Sequence, residues 1–221
     1  MMWDPIWEQL FRSRSWGKYP PEELIRFVAR NYYAAPDRAQ VRILEVGCGT
    51  GANIWYLSRE GFSAYGIDGS SMAIEKACQR LKEESLAASL KVGDATGLKK
   101  SFPLEFDAVI DIACLQCNEL NDVEAILSQI FQVLKPGGRF FGMMVAKGSW
   151  GDGIGREIEP NTFSDITEGP YAGKGKNHFF SEEEIRRILR QFSNVQIETT
   201  ERSMENRKHR IAHWVVEGTR P

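Results

Sequence analysis

The sequence has few side chains that ligate soft metals or form cross-links, with four cysteines and three histidines in 221 residues. Scattered cysteines in this number do not form a disulfide scaffold, so we expect reduced thiols and a cytoplasmic protein. Cys114 and Cys117 form a C-x-x-C pair, but the histidines lie far from it, at positions 178, 209 and 213. Zinc needs further ligands at short spacing, and redox pairs favour a helix start. We predict no metal site and interpret the pair as small buried apolar residues.

Long hydrophobic runs and a strong charge imbalance are also missing. A membrane-spanning helix needs about 18 or more apolar residues, and no such run occurs. The N-terminus has acidic residues early and no apolar core before a cleavage site, so we do not interpret it as a secretion signal. The net charge is -2, with a pI near 6.0. These values give no electrostatic reason to expect a nucleic acid or an anionic membrane as a partner.

Short apolar runs alternate with helical patterns along the middle of the chain. The expected strands are residues 41–46, 62–67, 89–92, 106–112 and 139–146. The expected helices include residues 52–60, 70–84, 122–134 and 181–191. Strands joined by helical crossovers pair in parallel, which predicts an α/β fold with a Rossmann-like, doubly wound sheet. Two last strands, 194–202 and 210–217, share a short polar turn and must form an antiparallel hairpin, which makes seven strands.

Two segments flank the expected core at 41–146 and could cover a ligand. In open α/β sheets the ligand lies over the carboxyl ends of the strands, so its cover comes from added segments. Residues 1–20 carry aromatic residues near helical spacing, and the glycine-rich stretch 147–180 is too long for a simple connection. We expect one domain over 1–221 in which both segments close over the cofactor and acceptor. Equally open is a structural helix whose tryptophans pack on the sheet.

The glycine-rich run EVGCGTG at 45–51 lies between an expected strand and an expected helix. Glycines there allow a tight turn and let the backbone approach a nucleotide, but the run also fits the dinucleotide pattern G-x-G-x-x-A. Glu45 discriminates between ligands, because its carboxylate would repel a pyrophosphate and attract an amino group or a sulfonium. The alternative is that Glu45 points away or caps a helix.

Two further carboxylates indicate an adenosine ligand. Asp68 ends the second expected strand and can accept hydrogen bonds from both ribose hydroxyls, in NAD and in S-adenosylmethionine alike. Asp94, in GDAT, can accept from the adenine amine, while a nearby backbone N–H reads a ring nitrogen. The alternative for Asp94 is a plain turn residue.

Five motifs in order make the chain resemble the class I S-adenosylmethionine-dependent methyltransferase family over roughly residues 41–146. They are ILEVGCGTG (43–51), YGIDGS (65–70), VGDAT (92–96), FDAVIDIACL (106–115) and LKPGGRF (134–140). The terminal hairpin is also similar to that family. The resemblance implies S-adenosylmethionine as the cofactor and methyl transfer as the reaction.

The resemblance also implies which residues meet each part of the cofactor. The methionine end would lie against Glu45, Gly47, Gly49 and Gly51. The ribose would bind Asp68, with Met72 beside the adenine and Asp94 and Ala95 at its edge. The sulfonium would lie beside Asp111, Ile112 and Leu115. We add Cys48, Gly69, Trp16 and Tyr19 to the expected cofactor-binding set.

The acceptor and any general base are less sharply indicated. Sulfonium methyl transfer is an in-line displacement, so the protein mainly supplies alignment and a dry pocket. If the acceptor must lose a proton, the candidate bases are His178, Tyr171 and Glu168, each of which could instead be ordinary loop surface. Where small-molecule members often have a histidine pair, this chain has Gln116 and Cys117, so no histidine base is expected there.

The motif after the fourth expected strand bears on the acceptor class. Base-methylating members of the family often carry Asn/Asp-Pro-Pro-aromatic there, whereas this chain reads DIAC. We therefore predict a small-molecule acceptor, methylated on oxygen or nitrogen, and no nucleic acid. An NAD-type oxidoreductase and a non-catalytic S-adenosylmethionine-binding protein stay open as alternatives.

Overall fold

A computed structural model describes residues 3–221, so the first two residues of the expected N-terminal segment lie outside the described residues. The strands in chain order are β1 (Arg42–Val46), β2 (Ser63–Asp68), β3 (Ser89–Val92), β4 (Phe106–Ile112), β5 (Leu134–Val145), β6 (Arg156–Glu159), β7 (Thr162–Ser164), β8 (Asn177–His178), β9 (Ser193–Met204) and β10 (His209–Thr219). The helices are α1 (Ile6–Ser13), α2 (Glu22–Tyr32), α3 (Ala52–Arg59), α4 (Ser71–Glu83), α5 (Leu98–Ser101), α6 (Leu120–Val133) and α7 (Glu182–Ile188).

The main sheet has seven strands in the order β3-β2-β1-β4-β5-β10-β9. The first five pair in parallel, β10 pairs antiparallel with β5, and β9 pairs antiparallel with β10. This arrangement confirms the expected Rossmann-like α/β class and the terminal hairpin. The order of the strands reverses at β1, because β2 and β3 lie on one side of β1 and β4 and β5 lie on the other. Ligands of such sheets bind at this switch point, outside the carboxyl ends of the strands.

Helices cover both faces of the sheet because neighbouring strand residues point to opposite sides. Ile43 of β1 belongs to an apolar cluster with residues of α2, α3 and α4, such as Phe27 and Leu57. The next residue, Leu44, belongs to a second cluster with residues of α6 and α7, such as Ile130. The core strands therefore lie in a dry interior, and only their ends reach solvent. Of the helices within residues 3–221, none has the length and apolar character needed to cross a membrane.

Local capping fixes where two of the helices begin. Ser70 precedes α4 and accepts a hydrogen bond from the Ala73 N–H at 3.1 Å. Ser181 precedes α7 and forms a capping box with Glu184. The α7 helix ends at Ile188, earlier than the expected 191, where Leu189 leaves helical geometry with φ -92° and ψ 4°.

Residues 147–180 are ordered, and they contain a second sheet that the sequence did not predict. Strands β6, β7 and β8 pair antiparallel in that order. They are two to four residues long, too short for an alternating pattern to be visible. A parallel bridge between Ala146 and Phe180 joins the segment to the end of β5. Tyr171 and Phe179 pack with Val145 in a separate apolar cluster, which anchors the segment.

Candidate active site

A cavity of about 280 Å³ lies at the carboxyl ends of β1, β2 and β4. The strand ends contribute Glu45, Gly47, Cys48, Gly49, Asp68, Gly69, Ile112 and Ala113 to its wall. A smaller pocket of about 50 Å³ adjoins it and is lined by Asp94 and Ala95. The two share Gly47, Asp68 and Gly69, so they form one continuous groove over the sheet edge. The structure thus brings the carboxylates of residues 45, 68 and 94 to one groove.

The loop after β1 needs glycine for two different reasons. Gly47, Gly49 and Gly51 have φ values of +65°, +50° and +80°, a region that residues with a Cβ rarely adopt. A Cβ on Gly47 would lie 2.4 Å from the Cβ and Sγ atoms of Cys114, so the loop closely approaches the turn after β4. A Cβ on Gly51 would lie 2.9 Å from the Cβ of Ala77. Gly51 therefore lets α3 and α4 pack together and is not a cavity-lining residue.

Glu45 is buried at the base of the cavity with half of its carboxylate unpaired. Its side chain is 2% exposed, and Asn53 Nδ2 donates to Oε1 at 2.5 Å. Oε2 has no hydrogen-bond partner among the described residues. Burial raises the pKa of Glu45 to about 8, the Asn53 hydrogen bond opposes this, and the nearby Asp111 and Asp68 raise it further. Glu45 accepts from the Asn53 side chain and does not cap a helix. Its unpaired Oε2 can accept a hydrogen bond from a ligand.

Asp68 is held in a fixed orientation between two loops. Its Oδ2 accepts from the Gly49 N–H at 2.8 Å, and its Oδ1 accepts from the Ser70 N–H at 2.8 Å. Burial raises the pKa of Asp68, and these two backbone donors oppose that effect. Each carboxylate oxygen has a second lone pair, so Asp68 can still accept from two vicinal hydroxyls.

Asp111 shapes the turn after β4 from a fully buried position. Its Oδ1 accepts from the backbone N–H groups of Leu115, at 2.9 Å, and Cys114, at 3.2 Å, while Oδ2 has no partner among the described residues. Burial raises the pKa of Asp111 to about 7, and the two backbone bonds oppose this. Asp111 therefore holds the turn beside the cavity without lining the cavity itself.

Several expected cofactor-binding residues occupy other positions. Asp94 accepts from Thr96 N and Oγ1, at 3.0 and 2.8 Å, so it has the turn role and also lines the smaller pocket. Leu115 is fully buried, and Tyr19 is 73% exposed with its ring edge-on to Trp55. Met72 lies in the first turn of α4 and lines neither pocket. The structure does not bring Met72, Leu115 or Tyr19 to the groove, whereas Trp16 lines it.

The three candidate bases lie away from the cavity. His178 is fully buried, with Nδ1 2.7 Å from Thr162 Oγ1. Tyr171 is buried, with its hydroxyl 3.3 Å from His213 Nε2. Glu168 is exposed and accepts from Trp150 Nε1 at 3.5 Å. The residue 147–180 segment packs around a separate apolar cluster, and none of its residues lines the cavity.

The cysteine pair, unlike those bases, lies at the cavity wall. Cys114 and Cys117 both line it, and all four cysteines are free thiols. Burial raises the pKa of Cys117 to about 12 and that of Cys114 well above its usual value, which keeps both thiols protonated and unreactive. Among residues 3–221, no three His, Cys, Asp or Glu side chains are placed to hold a metal ion.

An N-terminal cover, residues 3–17, closes the cavity from outside. Trp3, Trp7, Phe11 and Trp16 all face the cavity, and the last three form a ring cluster with centroids 5.0–5.8 Å apart. The cover docks on α4 rather than on the sheet. Glu8 of α1 accepts from Ser70 Oγ at 2.5 Å and from the Met72 N–H at 3.5 Å, and Lys76 Nζ donates to the Phe11 carbonyl. Sequence reasoning missed Glu8 because nothing in a helical pattern shows which partner helix a charge meets.

Glu8→Ala is expected to loosen the cover. The Ser70 hydrogen bond holds the pKa of Glu8 below its ordinary value, so the side chain is ionised when it contacts the start of α4. Loss of a carboxylate at a helix start costs about 0.5–2 kcal/mol. Trypsin should therefore cut after Arg12 and Arg14 several-fold faster than in the parent chain. Glu22→Ala, in the exposed first turn of α2, is the control, and equal cleavage rates in all three proteins would contradict the docking role.

Comparison with known proteins gives matches centred on this sheet edge. A family described as a methyltransferase domain matches residues 43–138. A demethylmenaquinone methyltransferase of Tropheryma whipplei is 35% identical over 98 residues, which cover 44% of this chain and 38% of that protein. A tRNA N(3)-methylcytidine methyltransferase of Schizosaccharomyces pombe is 25% identical over 62% of this chain and 46% of its own length. The chain therefore spans less than half the length of these curated relatives.

A solved structure extends the likeness to the whole fold. A protein from Methanosarcina mazei described as an S-adenosylmethionine-dependent methyltransferase aligns with a TM-score of 0.64 and 24% identity. The alignment covers 81% of this chain and 92% of that one, so the fold is shared beyond the matched core. Residues 43–138, which hold the glycine loop and the strand-end carboxylates, therefore match a methyltransferase domain, and the chain shares its fold with a structure described as an S-adenosylmethionine-dependent methyltransferase.

Proposed function

We propose that this protein transfers the methyl group of S-adenosylmethionine to a small-molecule acceptor. One observation carries the proposal: Glu45 is a buried carboxylate with an unpaired oxygen beside a glycine loop at the switch point of the sheet. Burial raises the pKa of Glu45 to about 8 while no cation is beside it, and a positive ligand would favour its ionised form, so such a group is typical of a site built for a cationic ligand. The amino group and the sulfonium of S-adenosylmethionine supply positive charge of this kind.

The residues around the groove fit the rest of this cofactor. Asp68 would hold the ribose, and Asp94 and Ala95 would meet the adenine edge. Gly47 and Gly49 line the cavity where the methionine end would lie. A pyrophosphate in the same place would face Glu45 and Asp68 together, which argues against an NAD-type oxidoreductase.

For this reaction the protein mainly has to position the cofactor and the acceptor. When bound, the cofactor supplies a methyl group on a sulfonium, whose sulfur is a good leaving group. Ile112 and Ala113 give the adjacent wall an apolar surface, and Trp7 and Phe11 close it from outside. These residues would align the acceptor and exclude water from the reacting centre. We do not assign the role of general base to His178, Tyr171 or Glu168, because none of them lines the cavity.

A small molecule is the acceptor class that the cavity favours. Four aromatic residues of the N-terminal cover line a cavity of about 280 Å³, which suits a small molecule with an apolar body. A nucleic acid would need a basic surface, whereas the chain has a net charge of -2. The cytoplasmic location stays a prediction.

Calorimetry tests the ligand, and a labelled methyl group tests the chemistry. We expect S-adenosylhomocysteine to bind and NAD not to bind. Asp68→Ala should weaken S-adenosylhomocysteine by about 1–3 kcal/mol, because the ribose hydroxyls lose a charged acceptor. Glu157→Ala, on the exposed strand β6, is the control.

Transfer of labelled methyl to a small-molecule fraction of cell extract would separate an enzyme from a binding protein. Tight NAD binding, or unchanged S-adenosylhomocysteine affinity in Asp68→Ala, would refute the assignment. Label found only in macromolecules would refute the small-molecule acceptor.

A further inference from the structure

Asn118 lies in the turn between β4 and α6, at the junction of the cavity and the smaller pocket. It lines both of them. The residue is only 6% exposed, so it belongs to the wall of the groove and not to the outer surface of the protein. None of the sequence motifs gave it a role. Asn118 is therefore a polar wall residue whose contribution to ligand binding is open.

Two backbone carbonyls fix the orientation of the Asn118 amide. Its Nδ2 donates to the Cys114 carbonyl at 2.9 Å and to the Leu115 carbonyl at 3.4 Å. In the reversed orientation the amide oxygen would face two carbonyl oxygens, which accept hydrogen bonds and do not donate them. The turn therefore holds Nδ2 against its own backbone, and Oδ1 is directed away from those two carbonyls.

The side-chain oxygen of Asn118 is an unused acceptor. Among residues 3–221, Oδ1 has no hydrogen-bond partner, and it is not enclosed by protein, unlike the unpaired Oδ2 of Asp111. Because the rest of the residue is buried in the wall of the groove, the open space that Oδ1 reaches is the groove itself. Buried polar atoms are almost always hydrogen-bonded in native proteins. A ligand in the groove is therefore expected to bring a donor to this oxygen.

The smaller pocket indicates which part of a ligand carries that donor. Residues 93–95, after β3, form one part of its lining, and Asn118 and Ile126 belong to another part. Glu45 lines only the larger cavity, so the amino-acid end of the cofactor would lie away from this pocket. A flat purine ring between the two parts would direct its edge groups to both. An exocyclic amine has two N–H donors, so it can serve one acceptor on each side.

We propose that Asn118 Oδ1 accepts a hydrogen bond from the exocyclic amine of the cofactor's adenine, which makes Asn118 a specificity-determining residue. This inference rests on the proposed function, because it assigns a contact with the same cofactor. The contact is additional to the one expected from Asp94, which comes from a different loop and also accepts from Thr96. A 6-oxo purine has an acceptor where adenine has a donor, so it would be rejected.

Calorimetry with S-adenosylhomocysteine and with its analogue that lacks the 6-amino group tests this contact. In the parent chain S-adenosylhomocysteine should bind about tenfold or more tighter, because the analogue leaves a buried acceptor unpaired. In Asn118→Leu this preference should fall to about threefold or less. Asn118→Asp keeps an oxygen at the position of Oδ1 and should keep the preference, since its second oxygen, when protonated, can donate to the Cys114 carbonyl.

A matched control and three outcomes decide the assignment. Asn121→Leu makes the same change at an exposed position in the first turn of α6 and should behave like the parent chain. If both ligands bind the parent chain equally, Asn118 does not contact the amine and the assignment is overturned. The assignment is also overturned if Asn118→Leu keeps the preference, or weakens both ligands by the same factor, because the residue then only supports the turn.

Two further arms separate a failed variant from a failed proposal. Thermal melts show whether each variant is folded, and Asn118→Ala takes the place of Asn118→Leu if the larger side chain prevents folding. If neither ligand binds the parent chain, the proposed function itself fails, and the role of Asn118 fails with it. If both bind but with equal affinity, the proposed function stands and only the role of Asn118 is wrong.

Discussion

Glu45→Gln is expected to weaken S-adenosylhomocysteine binding more than about 100-fold without destabilising the unliganded protein. Removing one partner of a buried charge pair costs about 3–5 kcal/mol, because the ligand ammonium would be left in the cavity without its carboxylate. Glutamine keeps the size of the side chain and can still accept from Asn53 through its amide oxygen. Its amide nitrogen would then present a donor where the ligand also presents a donor.

The same variant should change how stability depends on pH. The pKa of Glu45 is about 8 in the folded chain, above its usual value of 4.5, so the folded state retains a proton that the unfolded state has released. Stability from this group is present below the unfolded pKa and is lost as pH rises towards about 8. Glutamine cannot ionise, so the thermal midpoint of Glu45→Gln should fall less between pH 5 and pH 8 than that of the parent chain.

Calorimetry and thermal melts together decide this prediction. Glu157→Gln makes the same chemical change at an exposed position and should leave both ligand affinity and the pH slope unchanged. If Glu45→Gln binds S-adenosylhomocysteine like the parent chain, the buried carboxylate does not contact the ligand. If affinity and stability fall together, Glu45 has a structural role instead.

Gly47→Ala is expected to destabilise the fold by about 2–5 kcal/mol and to abolish measurable cofactor binding. The left-handed backbone at φ +65° costs a residue with a Cβ about 1–2 kcal/mol. The new methyl group would also lie 2.4 Å from Cys114, and overpacking of this kind adds about 1–3 kcal/mol. To relieve the clash, the glycine loop must move away from the turn after β4, and the cavity wall moves with it.

Gly61 is the control that separates backbone strain at positive φ from the steric clash with Cys114. Gly61 has φ +86°, and a Cβ there would meet nothing within 4 Å, so Gly61→Ala should show the backbone cost alone and bind normally. The double variant Gly47→Ala with Cys114→Gly removes the colliding side chain and should recover part of the lost binding. Equal denaturation midpoints for Gly47→Ala and Gly61→Ala would show that the close approach to Cys114 is unimportant.

The sequence predicted those parts of the molecule whose signals are local. Apolar runs and crossovers were enough for the sheet, because burial of β1 and β4 on both faces leaves continuous hydrophobic stretches. Glu45 and Asp68 could be identified because they stand at the carboxyl ends of strands. Contacts between distant segments left no such signal, and Asn53, the partner of Glu45, lies in the first turn of a helix with an ordinary pattern.

The structure of the segment after β5 could not be predicted from its sequence. Its composition suggested an irregular loop with reactive side chains, whereas its short strands bury His178 and pair it with Thr162. Whether a polar residue faces a cavity or its own segment depends on turns such as those at Asn161 and Asp165, both at positive φ. Such turns are not encoded by periodicity, so the candidate bases could not be ranked from sequence.

A chain of hydrogen bonds joins Asp68 to helix α1. Asp68 accepts from the backbone of Ser70, and the hydroxyl of Ser70 donates to Glu8. A ligand that restricts the motion of Asp68 would also restrict Ser70, whose hydroxyl donates to Glu8 of α1. Coupling free energies are reciprocal, so if a ligand binds Asp68, docking of α1 would strengthen ligand binding by the same free energy by which the ligand strengthens the docking of α1. Binding of the ligand in the cavity and docking of the N-terminal cover would then be coupled in one equilibrium.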